Sequence, residues 1–255
     1  MSLLPQEPGS ATVEILRASE MDEARSIQQA MVTLEPLCAP PFEIASCFRP
    51  VTEVGGDFLD YFWLEDRRLG LYLGDVVGKG LPAAMYAALA VGTLRGIHKR
   101  GTPPTTVLEL MNERLRMRVV PGRYCAVQYA VFDAGTLEVW YANAALPRPV
   151  LVSAKGCREV GEGGLPSGMF SDARWEPYAV QLQRGEGILF CTDGILEARN
   201  AEDEEFGVGR LIEICQQNTA EKANTLLSRL FCAVDDFSGD TAPHDDMTAI
   251  LLKIY

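Results

Sequence analysis

The sequence predicts an α+β fold in which two antiparallel β-sheets carry helices on their outer sides. Three observations lead there. Apolar runs of strand length follow one another in hairpin order. Segments with helical spacing enter in pairs between those runs. Aspartates stand where an apolar run meets an element break, at Asp57, Asp75, Asp193 and the pair Asp245-Asp246.

Taken in order, Ser19-Glu20-Met21-Asp22 reads as a capping box, with Ala24, Ile27, Met31 and Leu34 as the stripe of an amphipathic helix ending before Pro36. Residues 1–18 read as a flexible lead-in. Phe42 to Val51 alternates as a strand after Pro40-Pro41. The stretch from Glu53 to Gly80 holds two aromatic-rich apolar runs around the turn Glu65-Asp66-Arg67-Arg68, a β-hairpin with Asp57 and Asp75 at its open ends. The uncharged run behind it, Leu81 to Leu94, is 14 residues long, too short to span a bilayer, and reads as a buried helix continuing to Ile97. A second helix follows from Pro104 to about Val119.

The period then changes to that of strands, at Ala126–Phe132, Glu138–Asn143, Pro149–Val152, Glu159–Val160, Glu176–Gln183 and Ile188–Cys191. The last of these runs directly into Asp193-Gly194. The intervening GEGGLPSG (residues 161–168) neither has GxGxxG spacing nor opens a helix, so it is a loop and not a nucleotide site. Helices at Val208–Gln217 and Ala220–Val234 precede a final strand, Met247–Ile254.

Composition narrows the function. The chain has 255 residues, 47% hydrophobic, which suffices for one large core or two small ones. Net charge is −12, which disfavours a nucleic-acid binder. Basic residues gather at 95–100 and 114–123, a solvated surface or a face for an acidic or phosphorylated partner. Seven cysteines without CxxC spacing point to reduced core residues and a cytoplasmic location. With two histidines, a His-rich zinc site is excluded. The N-terminus shows no signal-peptide pattern, and no segment calls for a membrane.

Each aspartate alone is ordinary turn chemistry. Together, carboxylates at four strand ends form an oxygen-only donor set, which selects Mg²⁺, Mn²⁺ or Ca²⁺. The EF-hand spacing is missing, as are Cys-x₅-Arg and GxSxG signatures of covalent hydrolysis. Three or four carboxylates can hold two ions that activate water against a phosphoryl group.

Five runs, EVGGDFLDYF, GDVVGKGLPAAM, YANAALPRPV, TDGILEARN and DDMTAILLK, occur in this order. They resemble the SpoIIE-type bacterial serine phosphatases, a branch of the metal-dependent PPM protein phosphatases, over about residues 20–255. The resemblance implies a four-layer αββα sandwich with a phosphatase domain over 39–255 and a linker or regulatory helix over 19–38. It implies dephosphorylation of a phosphoserine or phosphothreonine regulatory protein, such as an anti-sigma-factor antagonist, by a metal-bridged hydroxide. Carried onto this chain, Asp57, Asp75, Asp193 and Asp245 become catalytic metal ligands for Mn²⁺ or Mg²⁺, two ions, with the Val76 carbonyl joining them. Gly56, Gly78, Gly194 and Asp246 become their supporting neighbours, and Thr248 fixes the loop. The helix from Leu81 matches an element that relatives move.

The chain departs from relatives at Val77, where eukaryotic members carry a His, at Lys79, where bacterial members have His or Asn, and at Ala145-Leu146-Pro147. The first two leave the general acid unassigned, and the third, standing for the more usual Gly-His-Pro run, bears on the substrate groove. A catalytically weak phosphatase-like binding module is the alternative, and a hydrolase of small phosphate esters a third reading. An upstream sensor or activator acting through the N-terminal helix, and a homodimer formed through it, fit the same picture.

Overall fold

Two cross-strand ladders form the centre of the molecule. The structure, a computed structural model, describes residues 10–65, 67–97 and 102–255. His98 to Gly101 and Asp66 lie outside this set, so the end of the first basic cluster and one residue of the hairpin turn are not described. One sheet contains β3 (Phe58–Trp63), β4 (Arg68–Val76), β5 (Cys125–Asp133), β6 (Glu138–Ala144) and β9 (Tyr178–Gln181), in the order β3-β4-β5-β6-β9. The other contains β1 (Leu37–Ala39), β2 (Phe42–Arg49), β7 (Val150–Val152), β8 (Arg158–Glu159), β10 (Gly187–Cys191) and β11 (Met247–Ile254), in the order β1-β2-β11-β10-β7-β8. Every pairing is antiparallel.

The side-chain period of two explains why the strands read as continuous apolar runs. On β4, Leu69, Leu71 and Leu73 face the other sheet, while Tyr72 and Val76 face outward under helices. On β11, Ile250, Leu252 and Ile254 face inward, and Met247, Ala249 and Leu251 face the opposite helices. Both faces of each sheet are therefore covered. α2 (Gly80–Ile97) and α3 (Pro104–Arg116) lie on one sheet, α5 (Gly207–Gln217) and α6 (Ala223–Ser238) on the other. The result is the expected αββα sandwich. α2 is long and apolar enough by composition to cross a membrane. Here its Ala83, Ala87, Ala90 and Leu94 are buried against β4 and α3.

Several boundaries agree with the sequence reading: β11 spans the expected residues, and the hairpin register pairs Phe58 with Gly74, which sets Asp57 beside the β4 end. The N-terminal helix does not agree. α1 runs Ser10–Gln29. It begins well before Ser19, so Ser19 is no N-cap, the lead-in is helical from Ser10, and the helix stops before Leu34. The expected stripe is also rotated. Ile27 and Leu34 are exposed, whereas Gln28 and Val32 are buried. The reason is a polar anchor: Gln28 Nε2 donates to Gly55 O at 2.7 Å and its Oε1 accepts from Gly55 N at 3.0 Å. A side chain that satisfies a buried peptide on both sides outweighs one exposed Ile. β1 and the single-turn α4 (Asp193–Leu196) were also unanticipated.

A buried carboxylate ties the segment after α1 to the sheet and α2. Asp60 accepts from Thr33 Oγ1 at 2.5 Å, Tyr72 Oη at 3.2 Å and Arg95 Nη2 at 2.9 Å, and Arg95 also donates to Met31 O at 3.0 Å. All seven cysteines are free.

Leu252 is fully buried between the sheets. Leu252→Ala should lower unfolding free energy by about 2–5 kcal/mol, read in urea melts as a lower midpoint at unchanged slope.

Candidate active site

The site grows from the ends of strands in both sheets. Asp57 immediately precedes β3, Asp75 is the penultimate residue of β4 and Val76 its last. Asp193 follows β10 and opens α4, and Asp245-Asp246 precede β11. Inter-sheet packing sets these ends side by side, so residues distant in sequence meet.

Asp57 is 1% exposed. Its Oδ2 accepts from Thr192 Oγ1 at 2.8 Å and from Thr248 Oγ1 at 2.5 Å. The two threonines also bind each other across β10 and β11, with Thr248 N donating to Thr192 Oγ1 at 3.0 Å. Burial pushes the Asp57 carboxyl well up, the Asp75 charge adds to this, and the hydroxyls oppose it. Asp75 is raised to about 7, first by burial and then by Asp193 and Asp245, while a hydrogen bond with Asp57 lowers it. Asp193 is raised by burial, then by Glu197 and Asp245. Asp57, Asp75, Asp193 and Asp245, the four expected ligands, are thus linked by charge across the ends of the two sheets, the first three with raised carboxyls.

Their closeness has a limit. Among the described residues no three His, Cys, Asp or Glu side chains stand at metal-ligating spacing. The hydrogen bonds show why. Asp245 Oδ2 lies 3.4 Å from Lys79 Nζ, and its Oδ1 accepts from Asp246 N at 2.9 Å. Asp246 faces the backbone: Oδ1 accepts from Val51 N at 2.7 Å and Oδ2 from Gly56 N at 2.6 Å. Asp246 therefore holds the 51–57 loop that delivers Asp57. Lys79 and Thr248 take definite places too, one against Asp245 and the other under Asp57.

The residues present fit a hard divalent cation. The donors are oxygen only, and buried like charges favour any cation between them. Backbone room is kept where it is needed. A Cβ on Gly56 would stand 2.8 Å from Val76 O, and one on Gly194 2.0 Å from Asp246 O. Gly78 has φ +95° and lies under Arg123, whose Nη1 donates to Val77 O. Val76 O, Asp57, Asp75, Asp193 and Asp245 are the groups that would hold the ions.

Three residues here were not picked out in the sequence. Thr192, directly before Asp193, could have been noticed as a hydroxyl beside a strand-end acid. Gln28 carries no sequence signal, because it acts on a backbone group far along the chain, and Arg123 stands out only as the end of the basic run 114–123.

Sequence and fold together identify a SpoIIE-type domain of the PPM phosphatase class. The chain belongs to the SpoIIE family: residues 65–255 match the family described as Stage II sporulation protein E (SpoIIE). It is 24% identical over 240 residues to the phosphoserine phosphatase RsbU of Bacillus subtilis, over 92% of this chain and 70% of that protein. It spans less than half the length of two further curated relatives. Among solved structures, the SiaA-PP2C domain of Pseudomonas aeruginosa is similar at TM-score 0.84 and 17% identity, over 97% of this chain and 100% of that one. RsbX in complex with magnesium is similar at TM-score 0.65 and 14% identity, over 88% and 100%. At these identities the structural likenesses speak for the fold.

Asp246→Ala removes the acceptor of three backbone N–H groups, those of Val51, Gly56 and Asp57. A loss of about 2–4 kcal/mol is expected, seen as a lower melting temperature, together with weaker divalent-cation binding by calorimetry because Asp57 loses its loop.

Proposed function

We propose that this chain is a metal-dependent protein serine/threonine phosphatase that removes phosphate from a phosphorylated regulatory protein, such as an anti-sigma-factor antagonist. The observation that carries the reading is the meeting of Asp57, Asp75 and Asp193 at the joined ends of the two sheets, with Asp57 buried, the other two partly so, and all three carboxyls pushed upward. Perturbed carboxyls in a cleft mark a functional site, and here they recur on the family's motifs. RsbU, a relative by sequence, is named a phosphoserine phosphatase, and RsbX, a relative by fold, was solved with magnesium.

Mn²⁺ or Mg²⁺, two ions on this reading, would lie among Asp57, Asp75, Asp193, Asp245 and Val76 O. When bound, such ions supply an activated water and neutralise phosphoryl charge. The chain's own groups do the rest. Thr192 and Thr248 both donate to one oxygen of Asp57 and so orient its carboxylate. Asp246 keeps the 51–57 loop closed on the site. Lys79, paired with Asp245 across 3.4 Å, supplies a cation at the cleft edge where phosphoryl charge arrives. Arg123 braces the turn between Asp75 and α2.

The reading extends to organisation. Residues 39–255 form the catalytic unit, acting in the cytoplasm. α1 carries input from an upstream sensor or a second copy to the Gly55 peptide through Gln28.

Asp75→Ala should abolish Mn²⁺-dependent hydrolysis of p-nitrophenyl phosphate and of a phosphoserine peptide, and excess EDTA should do the same to the parent protein. Activity surviving either would refute the reading. Asp75→Asn removes a charge from a crowded buried cluster. Without metal it should melt above the parent by several degrees, at about 2–4 °C per kcal/mol, while losing the melting-temperature rise that Mn²⁺ gives the parent.

A further inference from the structure

We propose that the surface made by the end of α3, the turn after it and the strap 165–170 docks the substrate protein, and that it fits a partner surface with an apolar centre and acidic flanks. This rests on the phosphatase reading above and deepens it.

The apolar part is a concentration of large side chains left in solvent. Met117, Val119, Val120, Leu165, Met169 and Phe170 are exposed at 38% to 80%. Apolar groups clustered in this way mark interaction sites, whereas scattered ones are ordinary. They are held in one piece. Asn112 of α3 donates to Phe170 O at 2.9 Å and accepts from Gly168 N at 2.7 Å. Arg116 donates to Met169 O at 2.7 Å, and Ser167 pairs with Cys125 through two backbone bonds of 2.8 and 3.0 Å. A surface already ordered loses little freedom when a partner arrives.

The helix end and the turn after it carry charge opposite to that of the chain. Arg114, Arg116, Arg118 and Arg123 lie within residues 114–132, which contain no Asp or Glu, on a chain of net charge −12. Arg118 pairs with no carboxylate among the described residues and is exposed. Methionine, aromatic groups and arginine are the residues that dominate binding surfaces. Complementary charge steers such partners into register.

Position connects this surface to the chemistry. Val77 N donates to Tyr124 O at 3.2 Å, and Arg123 Nη1 donates to Val77 O. The patch therefore borders the turn between Asp75 and α2. A folded protein resting there can present one phosphorylated side chain to the cleft. A folded protein is favoured over an anionic membrane because the patch borders the turn after Asp75, where a phosphorylated side chain must arrive.

The test uses the full chain with Mn²⁺, its Arg118→Glu and Met117→Asp variants, and three substrates. These are p-nitrophenyl phosphate and two peptides sharing one central phosphoserine segment, the first flanked by Asp, Glu and Leu, the second by Lys and Arg. The acidic, apolar peptide should show a KM about tenfold lower than the basic one, roughly one well-placed contact's worth. Arg118→Glu should abolish that preference and Met117→Asp should raise KM for the acidic peptide. Both should keep the parent's turnover of p-nitrophenyl phosphate. Equal KM for the two peptides, with p-nitrophenyl phosphate hydrolysed normally, overturns the docking proposal alone. No hydrolysis of p-nitrophenyl phosphate by the parent overturns the phosphatase reading and the proposal with it. Sedimentation of the parent with phosphatidylglycerol vesicles that Met117→Asp relieves, or a dimer in ultracentrifugation that Met117→Asp dissociates, assigns the patch to lipid or to a second copy and overturns it as well.

Discussion

Like charges brought out of water at the shared end of two sheets are the constraint on which this structure turns. Asp57, Asp75 and Asp193 each have a carboxyl raised first by burial and then by neighbouring acids. In a low-dielectric setting such a cluster opposes folding unless donors or cations lie against it. The chain meets this with hydroxyls on Asp57, backbone amides on Asp246 and the Lys79 ammonium near Asp245. The rest of the sandwich holds the geometry. Its inter-sheet core of Leu59, Leu71, Leu73, Phe190, Ile250 and Leu252 keeps the two sets of strand ends facing each other. A site that is costly to build and conditionally satisfied suits catalysis, because the same electrostatics that strain the fold attract divalent ions and phosphoryl groups.

The second organising interaction runs from α1 to this end of the molecule. Gln28 grips the Gly55 peptide, Gly56 N bonds Asp246, and Asp57 follows in the chain. Three consecutive residues thus link a helix near the N-terminus to a buried carboxylate. A parallel route passes through Asp60, which Thr33, Tyr72 and Arg95 all reach. α1, the sheet and α2 share these contacts, so movement of one is opposed by hydrogen bonds to the others. On the proposed reading, this is where an upstream signal would meet the chemistry. The exposed patch beside α3 meets the same site from elsewhere, through the turn after Asp75.

Much of the sandwich was legible because its strands alternate between two buried faces, leaving long apolar runs bounded by turns. The paired helices were legible from their stripes. β11 came out residue for residue, since Asp245-Asp246 mark its start sharply. α1 was misread for a physical reason. A Ser-x-x-Asp capping pattern and a stripe of four apolar residues outline a helix, yet neither is decisive when a helix is mostly solvated. What decides which side of α1 is buried is the Gly55 peptide, and no local pattern announces it. β1 and α4 are too short to show a period.

The sequence by itself determined the layers and which aspartates stand at strand ends, because hydrophobic period and strand-end aspartates are local properties. It also carried the motifs on which family membership rests. The tertiary structure decided how those acids are used. It turned Asp246 toward backbone amides, set two threonines on one oxygen of Asp57, placed Lys79 against Asp245, and brought Gln28 to Gly55 across 27 positions. It also gathered the exposed apolar groups of α3 and the strap into one face. These are long-range pairings, settled by which surfaces the two sheets bury against each other, and only the packed chain contains that information.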